Sequence, residues 1–175
     1  MTATARTVLR LTPDDERILR DVTTRTKAAS KSAVARNALE FMRQLWGHHM
    51  MGAEITVCDK DGDPVFDIHL AEVVQGATDA LPSHGPRTAM AQFRLDSNHG
   101  VVLDWLIENS AATSRSAVLR AAISLYNELL VAVERDNSLV AVFPEGTRLA
   151  VTLPGAMAKS LGGRVNYPSA GRASR

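Results

Sequence analysis

The chain holds a single cysteine, Cys58, among 175 residues. No intrachain disulfide can form, and a reducing cytoplasm is the expected location. No run of 18 uninterrupted apolar residues occurs, so no membrane association is expected. Met1–Arg10 lack the apolar stretch of a secretory signal, and none is expected. Also missing are a glycine-rich phosphate loop, a metal cluster of sensible spacing and a recognisable nucleophile–base pair. The chain is therefore expected not to be an enzyme and to carry no cofactor. Net charge is nearly absent as well, at +1. Its distribution says more than its sum. Residues 1–45 carry +4, residues 46–90 carry −5, residues 91–133 carry −1 and residues 134–175 carry +3. Any phosphate binding would fall mainly to the first segment, aided by the C-terminal tail.

What is present is a repeat. Shifted by 84 residues, Val8–Leu45 falls on Gln92–Leu129 without a gap. Eleven of the 38 pairs are identical, among them Arg10/Arg94, Leu19/Leu103, Ser30/Ser114, Ser32/Ser116, Val34/Val118 and Arg36/Arg120. Average composition would give roughly two or three. An ungapped duplication of this length points to two copies of one supersecondary unit.

Each copy reads alike. Thr7–Thr12 and Ala91–Asp96 alternate with period two, the pattern of a half-buried strand. Leu9, Leu11, Phe93 and Leu95 take one face. Val8, Arg10, Thr12, Gln92, Arg94 and Asp96 take the other. A helix follows: Thr12 as N-cap, Pro13 at the first helical position, then Asp14, Asp15 and Glu16 at the positive end of the dipole. In the second copy Asp96 or Ser97 is the cap. A longer helix comes next, capped by Ser30 or Ser114, with Val34, Ala38, Phe41 and Leu45 matched by Val118, Ala122, Leu125 and Leu129 at helical spacing. A lone unit of about 40 residues rarely buries its strand without a partner. The duplicate supplies one, so the expectation is a dimer fused into one chain.

The order strand, helix, turn, longer helix resembles the ribbon-helix-helix superfamily, the Arc, MetJ and CopG type of regulator. The stretch Thr113-Ser114-Arg115-Ser116-Ala117-Val118-Leu119-Arg120-Ala121-Ala122-Ile123 carries the resemblance best, with Ala29–Arg36 as its fainter twin. Tandem copies resemble the TraY-like arrangement. The chain departs from the family at two points. Ala33 and Ala117 stand where an acid often completes the capping box. Lys27-Ala28 and Ala111-Ala112 replace a glycine in the turn between helices, at a cost of about 1 kcal/mol wherever a left-handed residue is needed.

The resemblance implies an α+β fold: an intrachain pseudo-dimer with a two-stranded antiparallel ribbon over four helices. It also implies a ligand, double-stranded DNA, whose major groove the ribbon enters. The base-reading residues would be Val8, Arg10 and Thr12 from one strand and Gln92, Arg94 and Asp96 from the other. The residue chemistry suits that role: arginine can bind guanine bidentately, glutamine adenine, and valine or threonine can meet a thymine methyl. The long-helix starts would grip phosphate through free N–H groups, aided by Ser30, Lys31, Ser32 and by Ser114, Arg115, Ser116. Because the two strands differ, the expected core site is not a palindrome.

Beyond the repeat core, Glu54–Cys58 and Pro64–Leu70 flank an Asp-Gly turn, and Leu139–Phe143 and Arg148–Leu153 flank a Glu-Gly turn. Both read as β-hairpins. The expected organisation is unit 1 over 6–47, hairpin 1 over 53–70, a linker over 71–90, unit 2 over 91–134, hairpin 2 over 138–153 and a flexible tail over 154–175. The two hairpins could pair into a four-stranded sheet, and through it two chains could form a homo-oligomer. Asp59, Asp61 and Asp63 do not fit a calcium loop, because the glycine is misplaced and no closing glutamate follows. His48, His49, Cys58 and His69 match no ligand spacing, so no metal is expected.

The leading expectation is a sequence-specific DNA-binding transcriptional regulator, acting as a repressor in the cytoplasm and joining the nucleoid when bound. One alternative is a plasmid transfer or partition accessory protein. Another is an antitoxin whose hairpins or tail neutralise a partner protein.

Overall fold

The computed structural model describes residues 5–11, 13–79 and 89–155. Among the described residues eleven elements follow one another, and their order repeats. Strand β1 (Ala5–Leu11), helix α1 (Pro13–Arg25) and helix α2 (Lys31–Met50) lead into strands β2 (Glu54–Cys58) and β3 (Pro64–Ile68). Helix α3 (Leu70–Asp79) joins the halves. Strand β4 (Ala89–Leu95), helix α4 (Ser97–Asn109), helix α5 (Arg115–Glu134) and strands β5 (Ser138–Val142) and β6 (Arg148–Val151) complete the described part. The class is α+β.

The local signals act as expected where a residue has one job. Ser30 and Ser114 adopt extended backbone, and each hydroxyl accepts from the N–H three residues on, at 3.2 and 3.1 Å. That satisfies one of the donors a helix start leaves open. In the first hairpin Asp59 Oδ1 accepts from the N–H groups of Asp61 and Asp63, and Gly62 supplies the positive φ of 88°. The aspartates there build an ordinary turn. The expected cap Thr12 lies outside the described residues.

Two sheets result. β1 and β4 form an antiparallel ribbon. The hairpins do pair with each other, giving a four-stranded antiparallel sheet in the order β3-β2-β5-β6. The register of both sheets obeys one rule. Val8 pairs with Gln92 in the ribbon, and Thr56 pairs with Val140 in the sheet. Both pairs are 84 residues apart, so each joins a residue to its own repeat equivalent. One local twofold therefore relates the two halves through the ribbon and the sheet alike, and the duplication reaches past Leu45 to the end of hairpin 1.

Between the sheets sit the two long helices. α5 is apolar and long enough to pass for a membrane span by composition, but most of that surface faces protein. Val118, Leu119, Ala122, Leu125, Tyr126 and Leu129 are all buried. α2 contributes Val34, Ala38, Phe41, Leu45 and Trp46 to the same core. Polar ties cross between the halves: Arg25 binds Glu134 through both carboxylate oxygens, Trp46 Nε1 donates to the Asn109 carbonyl at 3.0 Å, and Arg120 meets Asp15 at 3.4 Å.

Two expectations need correction. The segment expected to be a linker over 71–90 contains α3. Leu70, Val73, Val74 and Ala77 recur at helical spacing, and Leu70 and Val74 are almost completely buried against the core. Pro154 and Gly155, expected to open a flexible tail, lie against the core. Leu153 is buried, Tyr126 Oη donates to the Pro154 carbonyl, and Gly155 lies close to Asn37 and Tyr126. Burial pushes the Tyr126 hydroxyl above its ordinary pKa, against a lesser pull from Asn37. Residues 156–175 lie outside the described part.

Candidate nucleic-acid interface

A two-stranded ribbon has one face for the core and one for solvent, and alternation along β4 separates them. Phe93 and Leu95 are fully buried, whereas Gln92 and Arg94 are exposed. Across the strand Val8, the partner of Gln92, is 39% exposed, although a valine of this kind would ordinarily be buried. The twofold passes through this pair, so it marks the centre of the outward face.

From the centre the register counts outward. Arg6 stands opposite Arg94, and Arg10 opposite Met90. Positions 6, 8 and 10 on β1 and 90, 92 and 94 on β4 thus share one parity of the ladder. The expected reading set reaches one residue past the end of β4. β4 ends at Leu95, and Asp96 caps α4: its Oδ1 accepts from the His99 N–H at 3.0 Å and lies 2.6 Å from His99 Nδ1. The bonds from His99 N–H and from its ring hold the Asp96 carboxyl below its usual range. Thr12 follows the end of β1 and is outside the described residues, as are the side chains at 6, 10 and 90. Sequence reasoning missed Arg6 and Met90 because it began the first strand at Thr7 and the second at Ala91. Only the centre of the pairing says where a ribbon's outward face starts.

The helix starts lie beside this ribbon. Ser32 Oγ accepts from the Arg94 N–H at 3.1 Å, and Arg36 Nη1 donates to the Arg94 carbonyl at 3.1 Å. A lone ribbon has two unpaired edges, and these bonds satisfy one edge at Arg94. Ser32 therefore fastens α2 to the strand. Ser30 is exposed and serves as cap, and Lys31 beside it is exposed. Ser114 caps α5 in the same way, and Ser116 is half-buried.

Arg115 is engaged differently from Lys31. Its Nε and Nη2 bind the two oxygens of Asp104 at 2.8 and 2.6 Å. The repeat equivalent of Asp104 is Arg20, also exposed. The turns between helices diverge too. Lys27 takes the left-handed region with φ 52°, a conformation that ordinarily favours glycine. In the second copy Ser110 stays extended and its hydroxyl accepts from Ala112 N–H, so no left-handed residue is needed.

Compared with known protein families, with curated proteins and with solved structures, the chain finds no match in any of the three. What this surface can do must come from its own chemistry.

The residues that raised the metal question have other surroundings. Cys58 is fully buried, with Arg148 Nη2 at 3.4 Å from its sulfur. His48 packs edge-on to Phe143, and His49 edge-on to Trp46.

Proposed function

We propose that the protein binds double-stranded DNA in a sequence-specific way, with the β1–β4 ribbon in the major groove, and acts as a transcriptional repressor. The observation that carries this reading is the pairing of the exposed Val8 with the exposed Gln92 at the middle of the ribbon, with Phe93 and Leu95 fully buried on the reverse of β4. A two-stranded ribbon is narrow enough for the major groove. The exposed Gln92 and Arg94 are side chains suited to adenine and guanine edges. Two serine-capped helix starts beside the ribbon offer backbone N–H groups to phosphates.

The reading set is Arg6, Val8 and Arg10 with Met90, Gln92 and Arg94. Asp96 drops out because it is committed to its cap, and Thr12 lies outside the described residues. Lys31, with Ser30 and Ser32, forms one flanking phosphate grip; at the other, Ser114 and Ser116 stand beside the free N–H groups of the α5 start, while Arg115 is held by Asp104. The chemistry of a plasmid transfer or partition protein would be the same.

The test is selection from random-sequence duplex DNA, comparing the wild type with Arg10→Ala/Arg94→Ala. A motif enriched by the wild type and lost in the folded double variant is expected. The absence of any enriched motif at moderate salt would sink the proposal. Co-purification of a small protein that masks the hairpin sheet would then favour the antitoxin reading.

A further inference from the structure

The local twofold relates the two halves in backbone but not in charge. At one end of the ribbon, Arg6 faces Arg94. Both backbone polar groups of Arg94 are turned to α2, so this is a non-hydrogen-bonded pair, the type in which the strands approach most closely. Like charges directly opposite on one face oppose pairing unless an anion lies between them. At the other end, Arg10 faces the uncharged Met90.

The helix corners follow the same polarity. Ser32 and Arg36 bind Arg94, so the start of α2 lies at the Arg6–Arg94 end. The corner between α1 and α2 carries Arg20, Lys27 and Lys31, all exposed. Their equivalents between α4 and α5 are Asp104, Ala111 and Arg115, and there the acid holds the arginine in a bidentate pair. The first-turn acids of α1 lie at its far end, and Asp14 and Asp15 are engaged by Arg17 and Arg120. Asp21 follows Arg20 by one residue, about 100° round the helix.

We infer that the protein grips DNA with a fixed polarity: the Arg6–Arg94 end, with Arg20, Lys27 and Lys31, is the strong end, and Asp104 is a brake that keeps Arg115 from phosphate at the other. The inference rests on the DNA-binding reading above and deepens it. A fused dimer can differentiate its two ends in a way that a homodimer of identical chains cannot. The brake is electrostatic: to contact a phosphate, Arg115 must first give up two charge-assisted bonds.

The experiment measures the affinity of the full chain for a short mixed-sequence duplex across a salt series. Each phosphate contact adds about 0.9 to the slope of log affinity against log salt. Lys31→Ala is expected to lower the slope by about one contact. Arg115→Ala is expected to leave it nearly unchanged. Asp104→Asn, at a half-exposed site, is expected to raise affinity several-fold and steepen the slope by about one contact, and Arg115→Ala on that background should reverse the gain. Thermal unfolding of each variant confirms that it is folded. Equal losses from Lys31→Ala and Arg115→Ala, or no gain from Asp104→Asn, would overturn the polarity while leaving DNA binding intact. No salt-dependent binding by the wild type would instead bring down the DNA-binding reading and the polarity with it.

Discussion

Single residues set the terms at the helix starts and turns. Lys27 holds a left-handed backbone that a β-carbon disfavours. Lys27→Gly should stabilise the protein by about 1 kcal/mol in urea unfolding and, under the proposed DNA-binding function, weaken DNA binding by removing a cation from the proposed strong end. Ser114→Ala removes the cap of α5 and should cost about 1 kcal/mol. Asp96 and Glu40 both have carboxyls held below their ordinary values, Asp96 by the His99 backbone N–H and Glu40 by its hydrogen bond from Arg43. The unfolded chain therefore takes up these protons more readily than the folded one. The stability they give is complete above the ordinary carboxylate range near pH 4, and it is lost as pH falls through the lowered folded values. Asp96→Asn keeps a capping side chain but cannot titrate. Stability measured from pH 6 to pH 2 should fall less steeply for it than for the wild type; identical acid limbs would remove Asp96 from this account.

At the scale of elements, α3 is the clearest case of structure exceeding expectation. The spacing of Leu70, Val73, Val74 and Ala77 was in the sequence, but Gly76 and the proline and glycine that follow masked it as a linker. Packing against α5 and α2 decides the matter, since most helical stability in proteins comes from a buried face. Leu70→Ala should cost about 2–5 kcal/mol in denaturant unfolding, as for any buried leucine. A linker residue would cost less than about 0.5 kcal/mol. The outward face of β4 was legible in the alternation of Gln92, Phe93, Arg94 and Leu95. Its limits were not, because alternation along one strand does not say which residue meets which across the pair.

For the whole molecule, the halves are interlocked at three levels. β1 pairs with β4, β2 with β5, and Arg25, Trp46 and Asp15 reach across between helices. Neither half closes its own ribbon or buries its own long helix. The chain should therefore unfold as one unit. Tryptophan fluorescence and far-UV circular dichroism are expected to give superimposable urea transitions, and two separated transitions would show that the halves fold independently. By itself the sequence determined the duplication, the order of strand and helices within each copy, the serine caps and the hairpin turns. These depend on neighbours within a few residues or on direct comparison of one copy with the other. Tertiary structure alone decided the pairing of Val8 with Gln92 and Thr56 with Val140, the folding of α3 and the capture of Arg115 by Asp104. Each of those depends on groups far apart in the chain or on surface buried by another element, and a one-dimensional pattern cannot choose among such partners.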